Sequence, residues 1–206
     1  MWVRDEDGFM PQYFDATGDR FQVDHLEVAL SFCQRRNTAI DVGAHYGSWS
    51  RYLAQQFQTV WAFEPVLATF ECLLENTREF SNINVIQSAV GDLGRRVRIG
   101  VGKMYHHPGM ETVISCDSGD IDMVKIDDLN IVGMDFLKID VEGFELQVLL
   151  GAKATVLRDR PVILFEENVR GPLEHGVPNG TCRNLLESWG ARLLSIQGED
   201  FIFGWP

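Results

Sequence analysis

Cysteine is scarce. The 206 residues hold four, at positions 33, 72, 116 and 182, with no C-x-x-C pair and no Cys/His spacing of a zinc site. That pattern excludes a disulfide scaffold and points to reduced thiols, so a cytoplasmic setting is expected. Positive charge is also short: 18 Lys and Arg against 30 Asp and Glu give a net charge of −12. Phosphate backbones need clustered Lys and Arg, so no extended nucleic-acid partner is expected. No apolar run approaches the roughly 18 residues of a membrane span. The start of the chain carries Asp5, Glu6 and Asp7 rather than an apolar leader, so neither membrane association nor an export signal is expected. Internal repeats and low-complexity tracts are absent as well. The 45% apolar and 23% charged fractions are those of a soluble globular protein, and the length suits one domain, 1–206.

The most informative stretch is residues 38–48, TAIDVGAHYGS. Thr38 to Val42 reads as a buried parallel strand. Gly43 and Gly47 permit a tight turn and close approach of a ligand, and Ser48 is placed to cap the next helix. A second strand, 59–63, ends in Glu64, 21 residues after Gly43. An acid about 20 residues beyond a glycine turn is the expected acceptor for ribose hydroxyls, so the ligand is read as a nucleoside. The turn is G-x-x-x-G rather than the G-x-G-x-x-G that cradles a pyrophosphate. It suits a cofactor without phosphate, and S-adenosylmethionine fits.

Along the chain, Asp24 with Glu27 reads as a capping box opening a helix with Leu26, Ala29, Leu30 and Cys33 on its apolar face. A helix is expected from Glu64-Pro65, with Val66, Phe70, Leu73, Leu74 and Thr77 inward. A third strand is expected over 85–90, ending at Gly91-Asp92. Residues 93–133 break the rhythm and read as a small β insertion with strands at 95–101, 112–116 and 123–126 and a loop at 103–109. A strand at 134–139 ends at Asp140, a helix runs from Glu142-Gly143 to about 157, and a fifth parallel strand covers 161–165. A Gly- and Pro-rich loop at 169–180, a helix at 181–189 stopped by Gly190, and a terminal hairpin at 191–196 and 201–205 complete the chain. The N-terminal extension and helix, 1–37, show only a short strand or turn at 12–14.

Four stretches resemble the FkbM family of S-adenosylmethionine-dependent methyltransferases: IDVGAHYGSWS (40–50), FEPVLATFECLLENT (63–77), SAVGD (88–92), and LKIDVEGFELQVLLGA (137–152) followed by VILFEE (162–167). They lie in the family's order, although the family usually has Asn where this chain has His45. The resemblance implies an α/β class I, Rossmann-like sheet of seven mostly parallel strands with an antiparallel C-terminal hairpin. It also implies methyl transfer, usually to a hydroxyl of a sugar or small natural product, and so a small-molecule or carbohydrate acceptor.

Site residues follow from both readings. Gly43, Ala44, His45 and Gly47 would hold the methionine half of the cofactor, Glu64 its ribose, and Ala89 and Val90 its adenine ring, with Asp92 on the adenine amino group. Asp41 would accept from the turn's N–H groups or the cofactor's amino group, or is satisfied within the core. Asp140, at a strand end, is the first choice of general base and His107 the second, with His106 and His175 in similar loop positions; Asp140 is also counted among the cofactor-binding residues, or is structural and bonds to the helix that starts at Gly143. Asp140 with Glu166 and Asn168 makes a hard-oxygen set that suits Mg²⁺. Glu142 is a possible site residue and Glu145 a structural acid of a first helical turn. The 93–133 insertion and the 169–180 loop would cover the acceptor. Two other readings stay open: a nicotinamide-dependent oxidoreductase, although the chain shows no Tyr-x-x-x-Lys pair, and a non-catalytic module that binds S-adenosylmethionine.

Overall fold

The computed structural model describes residues 1–4, 7, 10–11, 14, 22–101, 111–115, 119–168 and 171–206. Helix α1 (Val23–Ser31) precedes β1 (Thr38–Val42); α2 (Ser48–Ala54) leads to β2 (Thr59–Phe63), and α3 (Leu67–Thr77) to β3 (Ile83–Ile86). Then come β4 (Ala89–Val90), β5 (Arg95–Val101), β6 (Glu111–Ser115), β7 (Ile121–Val124) and β8 (Met134–Ile139). Helices α4 (Glu145–Gly151) and α5 (Lys153–Asp159), strand β9 (Val162–Glu166), helix α6 (Thr181–Ser188) and the hairpin β10 (Arg192–Gln197) and β11 (Asp200–Gly204) follow.

The principal sheet has the order β10-β11-β9-β8-β1-β2-β3. Strands β9, β8, β1, β2 and β3 are parallel, and the terminal hairpin adds to β9 antiparallel. This is the Rossmann-like α/β sheet that the alternation of short apolar runs and amphipathic helices implies. Every residue of β1 is buried, because both sheet faces are covered. On one face Ile40, Val42, Leu137 and Ile163 pack with Val148, Val156 and Leu186 of the helices. On the other, Ala39, Val60, Phe136 and Leu164 meet Leu26 and Ala29 of α1 and Leu53 of α2. Among the described residues no helix is long and apolar enough to cross a membrane.

The insertion forms its own sheet, β4-β7-β5-β6. Strands β1, β5 and β8 have the expected bounds, and several other expectations are corrected. The strand expected over 85–90 divides: β3 stays in the principal sheet to Ile86, and β4 pairs instead with β7. Ser88 fixes this corner by donating to the Asp122 carbonyl at 2.8 Å. The strand expected at 123–126 lies at Ile121–Val124, and Ile126 enters a 3-10 turn. Helix α1 begins at Val23 on a left-handed Gln22 without a side-chain cap, and the Glu27 carboxylate accepts from Tyr52 Oη instead of closing a capping box. Ser48 is the first residue of α2 rather than its cap, a place taken by Gly47. Helix α3 starts at Leu67, not at Pro65, because Glu64 Oε1 holds the Val66 N–H at 2.9 Å in an extended residue; Leu74 faces solvent. The helix expected from 142 to 157 is two helices meeting at Ala152. The second is capped from outside by Asp127, whose oxygens accept from Ala154 and Thr155 N–H at 3.0 and 2.8 Å. Gln12 and Tyr13, His106 and His107, and Cys116 lie outside the described residues.

Candidate active site

The chain runs from β1 outward to β2 and β3, then returns to place β8 and β9 on the other side of β1. The crevice above β1 and β8 is the switch point at which open α/β sheets bind ligands. A cavity of about 660 Å³ occupies it. Its floor is the turn after β1, its sides are the ends of β2, β4, β8 and β9, and Ile99, Thr112 and Val113 of the inserted sheet close it from above.

Glycine is required at position 43. With φ +76°, the residue turns the chain at the strand end, and a Cβ there would stand 1.8 Å from the Asp140 carbonyl oxygen. The N–H groups of Gly43 and Ala44 both donate to the Phe63 carbonyl, at 3.0 and 2.9 Å, so the turn folds over the end of β2. Gly47 has φ +89°, and a Cβ would meet Leu73 Cδ1 at 2.7 Å.

A buried ion pair lies beneath the turn. Asp41 and Lys138 are register partners on β1 and β8, so both point to the face that α2 covers. Lys138 Nζ lies 3.1 Å from Asp41 Oδ1 and 3.7 Å from Asp140 Oδ2, donates to the Gly43 carbonyl at 2.6 Å, and sits over the Trp49 ring. Burial acts to lower the Lys138 pKa, but the charges of Asp41 and Asp140 outweigh it, and the ammonium is held above its ordinary value. Asp41 also accepts from Ser50 Oγ at 2.6 Å. Asp41 is therefore held within the core, one of the two roles its position allowed. Lys138 is the residue that the sequence reading missed. The signal was a lone lysine inside the apolar strand Met134–Ile139, all of whose residues are buried; a charge in such a strand needs a partner.

Glu64 is buried at the cavity wall, where Oε2 accepts from the His45 N–H at 3.1 Å and Oε1 from Val66 N–H. Burial pushes its carboxyl up to about 7 against the two N–H donors. Glu145, at the start of α4, accepts from Gly143 N–H at 3.0 Å and braces the loop that follows Asp140; burial raises it to about 7 too. His45, in a left-handed residue of the turn, is pulled down to about 4 by burial. The signs set a pH dependence. Each acid is ionised in the unfolded chain from about pH 4.5 but in the native state only near 7, so each removes stability as pH rises through that interval. His45 acts oppositely between about 4 and 6.5 and offsets about one of the two. Urea unfolding is expected to give lower stability at pH 7.5 than at pH 5, and Glu145→Gln to flatten the decline.

Of the expected site residues, Gly43, Ala44, His45, Glu64, Ala89, Val90, Asp140 and Glu142 line the cavity together. Asp92 lies beyond Gly91 and is not among the lining residues; Ser88 stands there instead. Gly47 shapes the turn from behind, as the N-cap of α2. The Asp140 side chain is 44% exposed, whereas His175 is joined to the inserted sheet through Thr112 Oγ1 at 3.0 Å and packs edge-on to Phe144. Trp49 lines the cavity, and Trp61 and Trp189 pack on the core, as their apolar settings imply. The Mg²⁺ expectation finds no support: among the described residues no three His, Cys, Asp or Glu side chains cluster as a metal site. Among the described residues carboxylates dominate the lining, with Asp7, Glu64, Glu111, Asp140, Glu142 and Glu166 against the single cation Lys138. Such a lining suits a cationic ligand.

Comparison with known proteins follows this geometry. Residues 41–193 match the model of the methyltransferase FkbM domain. "Methyltransferase 1" of Beauveria bassiana (strain ARSEF 2860) is 25% identical over 181 residues, 73% of this chain and 70% of that protein. The crystal structure of methyltransferase FkbM from Methylobacillus flagellatus KT superposes with a TM-score of 0.54 at 21% identity, covering 83% of this chain. This chain spans 44% of that protein's length. A Streptococcus mutans protein in complex with SAH gives a TM-score of 0.54 at 11% identity, over 88% of this chain and 95% of its own.

Proposed function

The chain belongs to the FkbM methyltransferase family, and from that premise we propose that it is an S-adenosylmethionine-dependent O-methyltransferase, acting as one domain on a hydroxyl of a sugar or small natural product. The observation that carries the cofactor is Glu64, a buried carboxylate at the end of β2 whose two oxygens are aligned by the N–H groups of His45 and Val66. The remaining lone pairs of that carboxylate suit the two ribose hydroxyls. The residues present fit the cofactor: Gly43, in a turn that a residue with a Cβ could not make, lines the cavity floor, and the acidic lining matches a sulfonium and an ammonium. Ser88, Ala89 and Val90 offer a small-residue slot for the adenine ring.

When bound, S-adenosylmethionine supplies a methyl group already activated on sulfur. The protein's part is then alignment and removal of one proton. Asp140, at the end of β8 and open to the cavity, takes the acceptor's proton, and Lys138 beside it compensates the carboxylate charge. The acceptor lies beneath β5 and β6 of the 93–133 insertion, whose Ile99, Thr112 and Val113 face the cavity. Among the described lining residues the cation is Lys138, which already serves Asp41 and the Gly43 carbonyl, so the site favours neutral or cationic acceptors over phosphorylated ones. The fold-level argument for oxygen as the acceptor atom is family resemblance.

Calorimetric titration with S-adenosylmethionine, with NAD as comparator, tests the proposal. Saturable binding of the sulfonium cofactor alone is expected, and Glu64→Ala is expected to lose about 1.5–3 kcal/mol of it, the range of charge-assisted hydrogen bonds. Unchanged affinity in the variant, or binding of NAD in place of S-adenosylmethionine, would overturn the assignment.

A further inference from the structure

The cavity presents acids, yet the cofactor proposed for it carries a carboxylate as well as a sulfonium and an ammonium. That carboxylate needs hydrogen-bond donors when it leaves water. Most donors of the β1–α2 turn already have partners. The Gly43 and Ala44 N–H groups meet the Phe63 carbonyl, the Gly47 N–H meets the Ala44 carbonyl, and the His45 N–H meets Glu64. The Tyr46 phenol donates to Asp7 Oδ2 at 2.9 Å. Lys138 has three protons, and they face Asp41, the Gly43 carbonyl and Asp140. One polar atom of the turn differs. His45 lines the cavity, and its Nε2 is buried with no hydrogen-bond partner among the described residues. An unpaired buried nitrogen is costly, and native structures keep few of them.

We infer that His45 receives the carboxylate end of the bound cofactor, its Nε2–H donating to a carboxylate oxygen. The role rests on the S-adenosylmethionine reading above, whereas the unpaired Nε2 does not. The ring is held in place before any ligand arrives. His45 has a left-handed backbone with φ 51°, its N–H is anchored on Glu64 Oε2, and its imidazole rests on the Tyr46 ring with centroids 3.9 Å apart. Tyr46 is itself buried. Burial keeps the imidazole neutral, so one ring nitrogen carries a proton. The acids whose charges reach the ring are each engaged: Asp140 faces Lys138, Glu111 pairs with Arg4, and Asp7 accepts from Tyr46. An incoming carboxylate thus meets a donor rather than bare negative charge. The same residue then serves both ends of the cofactor, because the His45 N–H aligns the Glu64 carboxylate that takes the ribose.

The test sets S-adenosylmethionine against its decarboxylated analogue, which keeps the adenosine, the sulfonium and the amine. Both are titrated by calorimetry into the full chain and into His45→Gly. Glycine accepts the left-handed backbone and removes the ring. The affinity ratio of S-adenosylmethionine to the analogue is expected to fall roughly tenfold in the variant, the factor that loss of one charge-assisted hydrogen bond carries. A merely structural role would weaken both ligands alike, and an unmoved ratio would overturn the assignment. A second measurement does not depend on the variant folding. The parent is labelled with ¹⁵N in its five histidines. A histidine Nε2 proton protected from exchange is expected in its NMR spectrum with S-adenosylmethionine and not with the analogue; identical spectra with the two ligands would also reject the role. A parent that binds both ligands with these negative results keeps the cofactor reading and loses only the role of His45. A parent that binds neither loses both.

Discussion

Lys138→Met is expected to cost about 3–5 kcal/mol of folding stability, the loss seen when one partner of a buried ion pair is removed. The methionine replaces the lysine's stem well. What it leaves behind is the Asp41 carboxylate, fully buried with only the Ser50 hydroxyl for company, and a Gly43 carbonyl without its donor. The double variant Lys138→Met/Asp41→Asn is therefore expected to recover more than half of the loss, because an amide can keep the Ser50 bond and carries no charge. Urea unfolding of the two variants and the parent checks both statements. A single variant within about 1 kcal/mol of the parent would mean that water already compensates Asp41 and that the pair is not the dry contact its burial indicates.

The second large effect is expected at Gly43→Ala, at about 3–5 kcal/mol. One part is the left-handed backbone, which costs a residue with a Cβ about 1–2 kcal/mol. The larger part is steric: the new carbon would stand 1.8 Å from the Asp140 carbonyl oxygen, and main chain cannot swing aside as a side chain does. The ends of β1 and β8 must part, and Asp140 moves with its strand. Any of the variant that folds is thus expected to bind cofactor poorly as well. Gly94→Ala supplies the contrast. Nothing lies within 4 Å of its would-be Cβ, and its φ is not in the left-handed region, so stability should be equal or slightly raised. Thermal unfolding of both variants separates the steric account from a general intolerance of alanine.

Much of this architecture is legible in the amino-acid order because the responsible forces are local. A short, mostly apolar run before a glycine turn specifies β1, and alternation specifies β5; each stands where its pattern places it. The glycine turn and Glu64 are legible for the same reason, as spacing alone brings them to one crevice. What is hidden depends on partners distant in sequence. The break between α4 and α5 is marked in the sequence only by Gly151, and a lone glycine within a helical pattern does not announce a break by itself. It comes where Gly151 passes the Gly91 carbonyl so closely that a Cβ would stand 1.9 Å from that oxygen. The late start of α3 reflects a carboxylate bond to Val66, and the outside cap of α5 comes from Asp127 in the insertion. Lys138 was visible as an oddity, but its meaning required knowing that β1 and β8 are neighbours although 95 residues separate Lys138 from Gly43. The contacts of Arg4 could not be foreseen either, because they join residue 4 to residues 46 and 111.

The corner at Gln87 and Ser88 has a consequence for how such a protein can change over time. There the chain leaves one sheet at Ile86 and enters the other at Ala89, and the Ser88 hydroxyl bolts the turn to Asp122. The two sheets are thus hinged along one edge, like the covers of a book on a spine. Substitutions on the far cover alter what faces the reader of the page without shifting the spine or the near cover. A lineage built in this way can try new contours above the crevice while the floor beneath stays in register, and a graft between relatives that keeps this corner and the Asp127 cap of α5 inherits its alignment from them.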